Sequence, residues 1–126
     1  MLGRLFLVVA IAAVGAALVP GLAYGDFKQP GGGVYCGPSR TIPLGLLCWR
    51  SKTGLTVKMN GTGKVVVDTI RKNRNLYEDS APPLRIGRKW RFHDTFFCSM
   101  AKAGLTCKNK SRHGWFLGRT KGYRIF

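Results

Sequence analysis

Acidic residues are scarce in this chain, which has 126 residues and five Asp or Glu against 21 Lys or Arg. The formal net charge is therefore +16. Because no run of acidic residues exists, the chain is neither an acidic tail nor an acidic solvating module. Its hydrophobic fraction of 45% is too high for a disordered polycation, so we expect one small folded domain.

The chain also lacks the common catalytic and metal-binding motifs. It has no CxxC pair, HExxH, GxSxG or phosphate loop, and it contains only two His. Four Cys are too few for a densely disulfide-bonded miniprotein. We therefore expect no metal and no cofactor, and a small core that disulfides would help to stabilise.

One long apolar run is present, and it lies at the N-terminus. Arg4 is the only charged residue among the first 25, residues 5–18 are apolar or small throughout, and a Pro-Gly pair then breaks the helix. This order predicts a secretory signal-peptide helix over residues 1–25 and a single mature domain over residues 26–126. A retained membrane anchor is the alternative, although the run is shorter than the roughly 20 residues that span a bilayer.

The cysteines of an exported chain meet an oxidising compartment, so an even number predicts disulfides. We favour local pairing of Cys36 with Cys48 and of Cys98 with Cys107, which leaves 11 and 8 intervening residues. Three connectivities are possible in principle. A zinc site is the rival interpretation, and the Cys spacing and the two His argue against it.

Short β-type runs dominate the chain after residue 25, and no long helical periodicity is visible. Gly and Pro separate the runs, which predicts an all-β domain, either a small antiparallel barrel or a sandwich. Residues 60–63, Asn-Gly-Thr-Gly, predict a hairpin turn because Asn and Gly accept positive φ. The predicted strands cover residues 34–36, 46–49, 55–59, 64–70, 89–98, 105–108, 115–117 and 123–126.

One pattern occurs twice at a distance of 50 residues. Cys48-x3-Lys52-x-Gly54-Leu55-Thr56 matches Cys98-x3-Lys102-x-Gly104-Leu105-Thr106 in residue type and spacing. A duplicated unit is one interpretation. The other is that turn chemistry favours Lys-x-Gly before a strand, so that the match carries no common origin.

An ordered series of short motifs extends from residue 30 to the C-terminus. It includes Val34-Tyr35-Cys36, Leu47-Cys48, Val67-Asp68-Thr69, Leu84-x-Ile86-Gly87, Phe97-Cys98-Ser99, Gly104-Leu105-Thr106-Cys107-x-Asn109 and His113-Gly114-Trp115-Phe116-Leu117, ending in Arg119 and Tyr123. In this series the chain resembles a family of small secreted actinobacterial proteins known as a domain of unknown function. The resemblance implies secretion and a disulfide-braced β domain, and it implies no activity.

Basic residues concentrate towards the C-terminus, where residues 95–126 hold seven Lys or Arg and no acidic side chain. The predicted polyanion-binding set is taken from them: Lys108, Lys110, Arg112, Arg119 and Arg124. A second basic cluster precedes this set: Arg85, Arg88, Lys89 and Arg91. Basic side chains of this kind can bind an anionic polymer through its phosphate or other acidic groups.

Aromatic residues are interleaved with the basic ones: Trp90, Phe92, Trp115, Phe116 and Tyr123. They could stack on a ligand. The simpler expectation is that strand alternation turns these rings towards the core and the charges towards water. We expect the simpler arrangement for the rings.

The resulting functional hypothesis is an exported, non-catalytic cationic domain, secreted or associated with the cell envelope, whose partner is an anionic polymer or the envelope surface. An alternative is a phosphodiesterase or ribonuclease-like hydrolase that uses His93 or His113. Acid–base cleavage would require both imidazoles, or one of them and Glu78, within reach of one phosphate at a concave site. The simpler expectation puts His93 on an exposed strand edge and His113 in a turn. A small protein inhibitor or toxin-like factor is a further alternative.

Overall fold

The computed structural model of the protein describes residues 25–39, 42, 44–69 and 81–126, so the predicted signal peptide lies outside the described residues apart from Gly25. The described part contains ten β-strands and no helix. In chain order the strands are β1 (Phe27–Lys28), β2 (Val34–Ser39), β3 (Gly45–Arg50), β4 (Leu55–Met59), β5 (Val66–Thr69), β6 (Lys89–Phe92), β7 (Phe96–Met100), β8 (Gly104–Asn109), β9 (Gly114–Gly118) and β10 (Tyr123–Ile125).

The strands form two five-stranded sheets, in each of which every strand pairs antiparallel with its neighbours in the chain. Sheet A has the order β1-β2-β3-β4-β5, and sheet B has the order β10-β9-β8-β7-β6. The predicted all-β antiparallel fold is confirmed. Because the inner faces of both sheets contribute to one cluster of buried side chains, the arrangement is a two-layer sandwich.

The core is built from the alternating inward residues of both sheets. Sheet B contributes Trp90, Phe96 and Trp115, which are 1%, 0% and 0% exposed. Phe27 of β1 contacts Trp90 of β6 with ring centroids 5.0 Å apart, so aromatic packing joins the two sheets. Burying rings of this size is the largest apolar gain available to so small a domain.

Both predicted disulfides are present, Cys36–Cys48 and Cys98–Cys107, and the described residues include no free Cys. Each joins residues directly opposite one another on neighbouring strands, with Cα atoms 4.1 Å apart. Both bridges therefore close a hairpin within one sheet. The docking of sheet A on sheet B relies on packing and hydrogen bonds.

The repeated sequence pattern occupies the same kind of hairpin in each sheet. Cys48 lies opposite Val57 in β3 and β4, and Cys98 lies opposite Cys107 in β7 and β8. The register is the same, but the glycine of the first turn has φ of +74° and the glycine of the second has φ of +159°. The pattern thus marks two equivalent hairpins with different turns, and a common origin stays a hypothesis.

The prediction of one strand over residues 89–98 is wrong, because a turn divides it. After Phe92 the backbone takes left-handed φ values of 52° at His93 and 49° at Asp94, and the Thr95 N–H donates to the Phe92 carbonyl oxygen at 3.0 Å. Two successive positive φ values are typical of a type I′ hairpin turn, which usually carries Asn-Gly. The histidine therefore lies at a turn and not on a strand edge.

The hairpin predicted at residues 60–63 is present between β4 and β5, but the reason given for it is wrong. None of these residues has a positive φ. The turn is held by the Asn60 side chain, whose Oδ1 accepts hydrogen bonds from the backbone N–H groups of Thr62, at 3.1 Å, and Gly63. Asn60 thus acts through its carboxamide, which mimics a backbone acceptor.

The buried side chain of Asn109, 1% exposed, ties sheet B to the same turn. Its Nδ2 donates to the carbonyl oxygens of Asn60 at 3.0 Å and Gly63 at 2.9 Å. Its Oδ1 accepts from the backbone N–H groups of Ser111 at 3.0 Å and His113 at 3.1 Å. One carboxamide therefore organises two turns that belong to different sheets.

Arg50 makes the reciprocal connection from sheet A to sheet B. Its side chain is 7% exposed, and Nη2 donates to the carbonyl oxygens of Gly118 at 2.7 Å and Gly122 at 3.1 Å. Burial lowers the pKa of Arg50, because removing the guanidinium from water disfavours its charged form. The guanidinium thereby fixes the turn between β9 and β10.

Candidate anion-binding surface

The five residues predicted to bind a polyanion lie at three places around sheet B. Lys108 in β8 and Arg124 in β10 are on its strands, whereas Lys110 and Arg112 are in the turn between β8 and β9. Arg119 follows β9, at the opposite end of that strand. The fold therefore does not bring the five together in one patch.

The outer face of sheet B carries side chains that alternate with the core residues. One row across the strands is fixed by the pairs Arg91 with Phe97, Phe97 with Lys108, and Lys108 with Gly114. The backbone of Phe126 extends this row, since it exchanges two hydrogen bonds with Gly114, both at 3.0 Å. The row alternates between cations and aromatic rings, with a bare glycine at its fourth position.

A second row lies next to the first on the same face. It runs from Lys89 through Ser99, Thr106 and Phe116 to Arg124, each residue opposite the next on the neighbouring strand. Basic side chains stand at both ends of the row. A half-buried ring lies beside Arg124, and two short hydroxyl side chains occupy the middle.

Two arginines of this face contact its rings. The guanidinium of Arg91 lies 5.3 Å from the centroid of Phe97, and that of Arg124 lies 5.9 Å from the centroid of Phe116. Both distances fall within the range of a cation–π attraction. We name six side chains the basic–aromatic face: Lys89, Arg91, Phe97, Lys108, Phe116 and Arg124.

The predicted inward direction of the rings is confirmed for Trp90 and Trp115 and is wrong for Phe116. Phe92 packs against the core, whereas Tyr123 is 50% exposed on the last strand. Phe116 follows a core tryptophan in β9, so alternation turns it outward. The Phe116 ring therefore lies on the outer face beside Arg124, although the rings were expected to point towards the core.

Phe97 is a member of the face that the sequence analysis missed. The signal was available, because consecutive Phe96 and Phe97 within one strand must point to opposite sides. Phe96 is fully buried, which leaves Phe97 half-buried on the outer face. Lys89 and Arg91, the basic residues on the neighbouring strand, belong to the second basic cluster of the sequence and not to the predicted C-terminal binding set.

The charge around this face is almost entirely positive. Residues 81–126, which include all of sheet B, carry eleven Lys or Arg and one acidic residue, Asp94. Asp94 forms the one salt bridge found among the described residues, with Arg91 at 3.0 Å, and the two side chains are 82% and 57% exposed. Exposed pairs of this kind contribute little, so the field outside sheet B remains positive.

The turn end of sheet B holds three residues in a backbone conformation that L-amino acids rarely adopt. Arg112 in the turn after β8 has φ of 66°, in addition to the left-handed His93 and Asp94 in the turn after β6. Each such residue costs on the order of 1 kcal/mol relative to glycine. Arg112 therefore holds a cation at a position where glycine would be the more stable residue.

The two histidines lie in separate turns at this same end. His93 is exposed and its ring meets that of Phe92 edge-on with centroids 4.2 Å apart, whereas His113 is half-buried. Neither imidazole has a hydrogen-bond or ion-pair partner among the described residues. The hydrolase hypothesis stays a prediction.

The described residues contain no group of three or more His, Cys, Asp or Glu placed to hold a metal ion. The same part of the chain has no helix long and apolar enough to cross a membrane. No protein-family model, no curated protein and no solved structure matches this chain.

Proposed function

We propose that this protein is an exported, non-catalytic domain that binds an anionic polymer through its basic–aromatic face. The observation that carries the proposal is the register of sheet B, which places Lys89, Arg91, Lys108 and Arg124 on one face. Asp94, in the turn after β6, pairs with Arg91 from beside this face. Neutralising the charges of a polymer with such side chains releases its counterions, which is the main source of affinity for polyanions.

Pre-organisation of two arginines supports the same function. A free Arg side chain loses up to about 2 kcal/mol of rotamer entropy when it is immobilised on a ligand. Arg91 and Arg124 already rest on Phe97 and Phe116. Part of that entropy is therefore lost on folding rather than on binding.

Export is part of the proposal and rests on the predicted signal peptide over residues 1–25 and on the disulfides, which form in oxidising compartments. The resemblance to secreted actinobacterial proteins agrees with it. N-terminal sequencing of protein recovered from the culture medium should begin at Asp26 or within a residue or two. Recovery only in membranes, with Met1 or Leu2 at the N-terminus, would contradict export with cleavage.

The binding test uses fluorescently labelled polyphosphate, which carries charge and no aromatic group, titrated at several salt concentrations. The face variant replaces Lys89, Arg91 and Lys108 by Gln. The matched control removes the same charge from the opposite end of sheet B: Lys102→Gln, Arg119→Gln and Lys121→Gln. These three control side chains are exposed in turns and lie off the face.

We expect the face variant to bind polyphosphate more weakly than wild type. The slope of the logarithm of its binding constant against the logarithm of the salt concentration should be smaller in magnitude by about 2, since each lost phosphate contact lowers that magnitude by roughly 0.7 to 0.9. The control should stay close to wild type in both quantities. Equal losses in the two variants would show that net charge alone is responsible, and the face would then be rejected. Absence of binding by the wild type at low salt would overturn the proposed function.

A further inference from the structure

We infer that the anionic polymer is a single-stranded nucleic acid, whose bases stack on Phe97 and Phe116 while its phosphates contact the neighbouring cations. The inference rests on the proposed function and adds a ligand class to it. Charge alone does not distinguish nucleic acid from other polyanions. The rings do, because an aromatic side chain among cations can stack on the bases of a nucleic acid, whereas polyphosphate has no planar group to stack.

The arrangement of rings and cations follows from the register. Phe97 lies directly opposite Lys108, and Phe116 lies diagonally across from Lys108 on the other neighbouring strand. With strands about 4.8 Å apart and about 3.4 Å per residue, the two rings are separated by about 12 Å. Lys108 thus stands between them, where the backbone phosphate of a strand stacked on both rings would pass.

Lys108 is exposed on this face. Its neighbour on β9 is Gly114, which has no side chain, and a Cβ there would collide with the Cys107 carbonyl oxygen. Any larger residue is therefore excluded at this position, where the glycine itself is buried. Beyond the glycine lies Phe126, 44% exposed, so a third ring is available at the edge of the sheet.

The guanidinium groups of Arg91 and Arg124 suit the same ligand. Each is planar and lies near a ring, so it can stack on a base while its N–H groups point to phosphate oxygens. Bases of a single strand are unstacked and present their π faces. In a duplex the faces are hidden inside the stack, and a side chain on this surface would meet only backbone phosphates.

The experiment compares four probes on the protein with both disulfides formed: labelled oligothymidylate, the corresponding duplex, polyphosphate, and vesicles of anionic phospholipid. The test variant is Phe97→Leu with Phe116→Leu, which keeps apolar side chains on the sheet and removes the π faces. The matched control is Tyr123→Leu, which removes an exposed ring that lies off the face. Circular dichroism verifies that each variant is folded.

We expect the double Leu variant to lose roughly 10-fold or more in affinity for oligothymidylate per ring, since base stacking on an aromatic side chain contributes strongly to binding. Its affinity for polyphosphate should fall far less, because only the pre-organisation of Arg91 and Arg124 on the rings is lost there. Its salt slope should stay close to that of wild type, and the Tyr123 control should match wild type throughout. If the double variant fails to fold, the single Phe97→Leu variant with the same probes carries the test.

Equal affinity for oligothymidylate and polyphosphate, together with no effect of either Leu substitution, would overturn the nucleic-acid inference and leave polyanion binding standing. Tighter binding of the duplex or of the vesicles would overturn it in favour of those ligands. Failure of all four probes at low salt would overturn the proposed function and the inference together.

Discussion

Asn109 offers the sharpest test of how the two sheets are held together. Its carboxamide makes four hydrogen bonds, two to carbonyl oxygens in the β4–β5 turn of sheet A and two from N–H groups in the β8–β9 turn of sheet B. A side-chain hydrogen bond contributes about 0.5 to 1.5 kcal/mol net, and all four of these bonds are partly buried. We therefore expect Asn109→Ala to lower the free energy of unfolding by about 3 to 5 kcal/mol.

Asn109→Asp separates the two halves of this contribution. An aspartate still accepts from Ser111 and His113, but it cannot donate to Asn60 and Gly63, and its charge faces their carbonyl oxygens. We expect this variant to be destabilised at neutral pH and to recover part of the loss as the pH falls, since protonation removes the charge and restores one donor. If the charged aspartate were instead stabilised by its surroundings, the variant would lose stability as the pH falls.

The assay is urea unfolding followed by tryptophan fluorescence, performed at pH 7 and at pH 4 with both disulfides intact. Ser111→Ala is the matched control, because Ser111 takes part through its backbone N–H and its side chain makes no bond to Asn109. A loss below about 1 kcal/mol for Asn109→Ala would refute the reasoning, because four partly buried hydrogen bonds should together contribute about 2 kcal/mol or more. An equal loss of unfolding free energy in the Ser111→Ala control would also refute the reasoning.

Three further perturbations test the core, the turn and the covalent links. Replacing Cys98 and Cys107 by Ala should lower the free energy of unfolding by about 3 kcal/mol, the chain-entropy value for a loop of this length, and a midpoint in urea equal to wild type would contradict it. The double substitution His93→Asn with Asp94→Gly should raise the free energy of unfolding by about 1 kcal/mol, because both native residues have left-handed φ. The surface salt bridge that is lost with the aspartate is weak. A lower melting temperature would reject this assignment of the turn. Trp115→Ala should cost about 3 to 5 kcal/mol because the ring is fully buried, and unchanged thermal unfolding would show that it is not a core residue.

Local chemistry was sufficient for most of the strands, the disulfide pairs and two core tryptophans, although β1 was not predicted and β6 and β7 were predicted as one strand. Short β-type runs separated by Gly and Pro favour hairpins between neighbours, and the close spacing of Cys36 with Cys48 and of Cys98 with Cys107 favours local pairing. Trp90 and Trp115 are buried because rings of this size gain most from leaving water. Each of these features depends on residues close to one another in the chain, so pattern and spacing indicate it.

The missed turn at His93 and the misread turn at Asn60 have a different origin. A type I′ turn usually carries Asn-Gly, so His-Asp gave only a weak signal, whereas the Asn-Gly at residues 60 and 61 uses a side-chain acceptor in place of positive φ. The turn at Asn60 is held by side-chain hydrogen bonds, whereas the turn at His93 has the left-handed backbone that suits a two-residue connection between twisted strands. Turn composition is therefore a poor guide to turn geometry at these two places.

The candidate site depends on contacts between residues distant in the chain. Lys89 and Arg124 are 35 positions apart in the sequence, and only the order of the strands in sheet B places them on one face with Phe97 and Phe116. Arg112 and Arg119 are close in sequence but lie at opposite ends of β9, because an extended strand of five residues separates them. Residue type and spacing determined that this chain forms disulfide-braced strands with an excess of positive charge. Which charges and rings share a surface was determined by strand register, which depends on the packing of two sheets and is not encoded in any one segment.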